Sequence, residues 1–184
     1  MTRRRNGGRI PPGWRGAPPR PRTLMAEPTT NQHAGSLLAI WAKGVRGQPM
    51  MSRSAGELIA GEGLRDSAPA RGKRQVTVLS REAWERAADE AGQPDADPAL
   101  RRANLLVTGV DFRETIGRTL VVGATRILIH GETKPCERMD GAALRMRDSL
   151  APDWRGGAFG EVVSGGRIRI GDPVGWAEPE PPGP

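Results

Sequence analysis

Apolar and polar positions alternate along this chain in short runs, and glycine and proline divide one run from the next. Leu37–Trp41 is the first strand-sized run. Arg74–Leu79 follows with Val76 and Val78 on one face, the period of a half-buried strand. Thr119–Val122 and Thr125–His130 are separated by Gly123-Ala124, a two-residue link of the kind that closes a β-hairpin. Phe159–Val163 and Arg167–Ile170 flank Ser164-Gly165-Gly166, which reads as a second hairpin, and Gly171-Asp172-Pro173 turns the chain into Val174. Short strands broken by Gly-rich turns predict a mainly β fold, either a sandwich or a closed barrel.

The period changes to helical once with clear punctuation. Ala83, Trp84, Ala87, Ala88 and Ala91 share a face, Ser80 stands where a cap belongs, and Gly92 with Pro94 ends the segment. Glu82 and Arg86 form a predicted i,i+4 pair. This spacing makes Trp84 a core residue, not a platform for a ligand. Shorter helices are predicted from Asp97-Pro98, where proline suits the first turn, and over Met139–Leu150 through Ala143, Met146 and Leu150.

Composition sets the limits of the folded part. With 25 Gly, 17 Pro and 36% apolar residues, the 184-residue chain suits one turn-rich domain with tails. Residues 1–34 are rich in Arg, Pro and Gly and are expected to be disordered, with Met25 a candidate start. Residues 35–176 form the expected domain, and 177–184 a Pro-rich tail. The net charge of +7 is local: of 28 Lys and Arg, seven lie in residues 1–24, which hold no acid, and the remaining 21 match the 21 Asp and Glu. Nucleic-acid binding through that arginine tail is therefore the weakest functional reading, because the domain itself is neutral and lacks interleaved aromatics. No apolar run reaches the ~20 residues of a membrane span, and no signal-like apolar stretch follows the basic start. A single cysteine rules out an intramolecular disulfide and suits a cytoplasmic location. Cys136, His33 and His130 are too few for a tetrahedral zinc site.

Cys136 is the main candidate for chemistry. It lies in Thr133-Lys134-Pro135-Cys136-Glu137-Arg138, just after an apolar strand, with Lys134 and Arg138 two residues to either side. Such cations favour the thiolate, which attacks electrophiles and binds metals. The competing reading is a small buried hydrophobe. Arg101-Arg102-Ala103-Asn104 gathers two guanidinium groups and an amide, suited to a phosphate or to a solvated helix face. His130 reads as a strand-end residue, and Gly156-Gly157 beside Arg155 as a turn or a place of close backbone approach.

Three stretches taken in order resemble the MOSC family, named for the C-terminal domain of molybdenum cofactor sulfurase. They are Lys73–Ser80 leading into the helix, Arg101–Phe112 with Ile116-Gly117-Arg118, and Lys134–Met139 closing with Gly157 and Ile168–Val174. The resemblance covers roughly residues 36–176. It implies a β-barrel-like MOSC fold with a few short helices and a bound molybdenum cofactor. It further implies that Cys136 is a molybdenum ligand or persulfide carrier, and that Arg102 and Asn104 hold the pterin and its phosphate. Lys134 and Arg138 would add positive field. The implied activity is reduction of N-hydroxylated compounds with a partner reductase. A non-catalytic sulfur or cofactor carrier that docks on a molybdoenzyme or assembly partner is the alternative. One segment departs from the family: Gly63-Leu64-Arg65-Asp66-Ser67-Ala68 lacks the second glycine and the histidine of the usual Gly-Leu-x-Gly-Asp pattern, which implies an altered pocket or access loop.

Overall fold

The computed structural model describes residues 35–44, 48–68, 72–137, 139 and 144–178. The tails expected at 1–34 and 177–184 lie outside this set except for Ala177 and Glu178, and so does Arg138.

Eleven strands occur among the described residues: β1 (Gly35–Lys43), β2 (Met50–Arg53), β3 (Ala55–Ile59), β4 (Gly63–Leu64), β5 (Val76–Ser80), β6 (Leu105–Thr108), β7 (Thr119–Val122), β8 (Thr125–Glu132), β9 (Ala158–Ser164), β10 (Gly166–Arg169) and β11 (Pro173–Trp176). Seven of them run in the order β11-β7-β8-β9-β5-β6-β1, and β1 pairs back onto β11 through Gly35↔Val174 and Ser36↔Pro173. The result is a closed seven-stranded barrel. A bulge between Leu37 and Ala39 lets β1 bend between its two neighbours. β2 hangs on the far end of β1, while β10, β3 and β4 form a second small sheet.

Alternation decides what enters the barrel. Val76 and Val78 point inward with Leu37, Ile40, Leu105, Val107, Leu120, Val122, Ile127, Ile129, Val162 and Val174, and these side chains fill the interior. The opposite face of β5 and β6 offers Leu79 and Leu106 to a second core beneath helix α1 (Arg81–Ala91), with Trp84, Ala87, Ala88 and Ala91. Helix α1 and a 3-10 turn at Pro98–Arg101 make the crossover between β5 and β6, which are parallel. A five-residue helix α2 (Met146–Leu150) buries Met146 and Leu150 against the same core. The end of α1 follows its punctuation: Gly92 has φ 71°, and the Gln93 N–H reaches the Ala88 carbonyl at 2.8 Å.

The structure corrects three local expectations. Ser164-Gly165-Gly166 is not a hairpin, because β9 pairs with β8 and β5 while β10 crosses to β3. The Gly165 position leaves no room for a side chain, since a Cβ there would sit 2.6 Å from the Leu58 carbonyl oxygen. Ser80 does not cap the helix backbone with its side chain, but donates to Glu82 Oε2 at 2.9 Å. Glu82 in turn accepts from Thr108 Oγ1 and the Gly109 N–H, tying the helix start to the chain beyond β6, so the i,i+4 pair on this helix is Arg81–Glu85 at 2.7 Å. The helix expected over Met139–Leu150 is met at Met139 and over Met146–Leu150, with a turn at residues 144–145, and residues 140–143 lie outside the described set.

Candidate functional site

A cleft of about 350 Å³ opens on the outer side of the barrel where four segments meet. The end of β1 contributes Lys43, and Arg74 precedes β5, which adds Thr77 and Val78. The crossover gives Leu100 to Ala103, and the chain after β8 gives Thr133 and Cys136. Gly156 lies just before β9, and Met139 and Ala68 complete the wall. Four cations therefore share one lining, with no carboxylate among the described lining residues.

Arg101 is the architectural cation. It is 8% exposed and donates from Nε to the Gly156 carbonyl at 2.9 Å and from Nη2 to the Thr133 carbonyl at 2.6 Å. Those bonds pin the crossover to the strand ends that carry the thiol. Gly156 makes the approach possible, since a Cβ there would come within 2.3 Å of the Thr133 oxygen and 3.2 Å of Arg101 Nη2. Burial, reinforced by the like charge of Arg74, depresses the Arg101 pKa, and Cys136 and Glu132 oppose that effect. Lys43 is affected more strongly: burial first, then Arg74, Arg102 and Arg101, lower its pKa to about 8. Arg74 also lies over the Phe159 ring, 5.5 Å from its centre.

The predicted site residues divide into three groups. Cys136 is exposed and lines the cleft, so it is not a buried filler. Arg102 lines it too; its backbone takes a left-handed turn with φ 58°, and Nη1 donates to the Gln48 carbonyl at 2.9 Å. Asn104 is 2% exposed and lies outside the lining. Its Oδ1 accepts from the Thr77 N–H at 3.1 Å and from Thr77 Oγ1 at 3.0 Å, and Nδ2 donates to the Trp41 carbonyl and to Ser67 Oγ. The amide is thereby committed to joining β1, β5 and β6 beneath the cleft. Lys134 is exposed and is not among the lining residues, and Arg138 lies outside the described residues.

Sequence reasoning missed Lys43 and Arg74 and gave Arg101 no separate role. Lys43 ends an apolar strand and Arg74 begins one, so each reads locally as a solvated terminus. Only the pairing of β1, β6 and β5 side by side in the sheet brings them together. The segment Gly63–Ala68 also belongs here: Ser67 Oγ accepts the Lys43 N–H at 3.0 Å, and the Ala68 N–H donates to the Lys43 carbonyl at 2.6 Å. The stretch that departs from the expected pattern thus backs the lysine.

Thr133 supplies a further clue. It is 4% exposed, and its Oγ1 is buried without a hydrogen-bond partner among the described residues. Such a group in a cleft wall favours a polar ligand.

The MOSC domain profile matches residues 33–175. The chain belongs to the MOSC domain family. Among solved structures it is similar to the YuaD protein from Bacillus subtilis, at 16% identity over 76% of this chain and 94% of that one, with a TM-score of 0.63. It is also similar to YiiM from Geobacillus stearothermophilus, at 13% identity over 78% and 75% of the two chains with a TM-score of 0.61. YiiM from Escherichia coli gives 17% identity over 79% and 71% with a TM-score of 0.57. At these identities the likeness is one of fold. No curated protein sequence matches the chain. Among the described residues, no helix is long and apolar enough to cross a membrane.

Proposed function

We propose that this MOSC protein binds molybdenum cofactor in the cleft and that Cys136 provides a thiolate ligand to the metal. One observation carries the reading: among the described residues, an exposed thiol shares a lining with Lys43, Arg74, Arg101 and Arg102 and with no acid. A pterin phosphate bearing a metal is anionic, so it suits a wall of uncompensated cations. The cleft volume lies in the range of cofactor sites, and the unpartnered Thr133 hydroxyl offers a neutral contact. The residues present therefore fit the group.

Arg102 is the cation best placed to hold the phosphate. Arg101 already spends Nε and Nη2 on backbone carbonyls, while Arg102 spends only Nη1, on Gln48. Arg101 and Asn104 set the shape around the ligand. A soft thiolate is a suitable molybdenum ligand. When bound, the cofactor would supply two-electron redox chemistry, supporting reduction of N-hydroxylated compounds with electrons from a partner reductase in the cytoplasm.

The exposure of Cys136 also favours a second reading, in which its persulfide hands sulfur to a docked molybdoenzyme or assembly partner. Molybdenum analysis and pterin fluorescence on protein purified from a cofactor-producing host test the first. Stoichiometric metal and pterin support it, with loss of both in Arg102→Ala at unchanged melting temperature. Protein that emerges free of both, with Cys136 heavier by one sulfur atom, overturns it in favour of the carrier.

A further inference from the structure

Lys43 stands apart from the other three cations. It is the last residue of β1 and lines the cleft, and none of the described residues lining the cleft with it is an acid. Arg74 faces it from before β5, and Arg101 and Arg102 face it from the crossover. Cys136 lines the same cleft from the chain after β8, and Glu132, at the end of β8, acts on Arg101 and not on Lys43. An ammonium held among guanidinium groups is costly unless an anion joins them.

We propose that Lys43 is a direct contact for a tetrahedral dianion in this cleft and makes its capture proton-linked, so that an anion arriving at neutral Lys43 brings a proton with it. The inference rests on the cofactor reading only for the identity of the natural anion, a phosphate ester. The geometry that argues for it is the cation cluster itself. The pKa of about 8 places the response within an accessible range. A bound dianion raises that value, so affinity is full while Lys43 is protonated in the free protein. It weakens as the pH climbs through about 8, and levels off once the lysine of the complex has also lost its proton. The arginines stay charged throughout.

Sulfate is the appropriate probe, because it remains a dianion from neutral to alkaline pH. Calorimetric titration of the full chain at constant ionic strength, at about pH 7 and about pH 9.5, measures the effect. Wild type is expected to lose about tenfold in affinity between the two, the equivalent of a one-unit pKa change on binding. Lys43→Met binds weakly at both pH values. Lys43→Arg binds tightly at both, which also shows that the strand end tolerates substitution. A pH-independent wild type or an undiminished drop in Lys43→Met overturns the proposal. Molybdenum and pterin content is measured separately, so failure of the cofactor reading leaves the sulfate result intact and the converse also holds.

Discussion

At the scale of single residues, two neighbours in sequence divide structure from binding. Asn104 joins three strands from a buried position, so Asn104→Ala leaves the Thr77 N–H without its side-chain acceptor and should cost about 1–3 kcal/mol in chemical denaturation. Arg102 is half-buried and makes one bond to the protein, so Arg102→Ala should change stability by under about 0.5 kcal/mol. The same change should lower cofactor retention about tenfold or more, the worth of a charge-assisted phosphate contact. Sequence placed both residues at the site as a pair. The period of β6 does not reveal that the Asn104 amide is spent on backbone and hydroxyl partners beneath the cleft. Lys43 gives a further expectation. With a folded pKa of about 8 against the ordinary 10.5, the unfolded chain binds more protons than the folded one between those values. Stability of the anion-free protein should therefore rise with pH across that window relative to Lys43→Met, as thermal melts in non-coordinating buffer would show. A flat difference curve would mean that the lysine is not held among like charges.

At the scale of elements, the crossover from β5 to β6 links the second core to the cleft. Trp84 anchors helix α1 from a buried position, and its indole N–H donates to the Ala96 carbonyl at 3.0 Å, bracing the turn that leads to Arg101. Trp84→Ala should cost roughly 3–5 kcal/mol, and Trp84→Phe should recover most of the apolar part while losing the hydrogen bond. Both should speed hydrogen exchange at residues 98–103 ahead of the barrel strands. Equal protection of that segment in both variants would show the two regions to be independent. The helix was legible because five apolar residues repeat at its period and Gly92 ends it. The strands β5, β7, β8 and β9 were legible from alternation and turns. β2, β3 and β4 were not, because they are short and lack a clear alternation, and take their identity from pairing with β1, with β10 and with each other. The supposed hairpin at Ser164–Gly166 fails for the same reason: a glycine turn says that the chain bends, not which strand receives it.

At the scale of the whole molecule, the side-by-side order β8-β9-β5-β6-β1 assembles a site from residues 43, 74, 101, 102, 133, 136 and 156. No local window contains more than a few of these, which is why the cysteine was legible and the cation cluster around it was not. The charge divides differently: residues 1–24 hold the excess arginines, so a chain beginning at Met25 should keep its melting temperature and cofactor content while losing salt-sensitive nucleic-acid binding. A large fall in melting temperature would instead tie that segment to the barrel. The central claim concerns the thiol. X-ray absorption at the molybdenum edge, on wild type and Cys136→Ser purified side by side from a cofactor-producing host, tests it most directly. The metal shell in wild type is expected to hold one more sulfur than in the variant. An identical sulfur shell in the two proteins would contradict it.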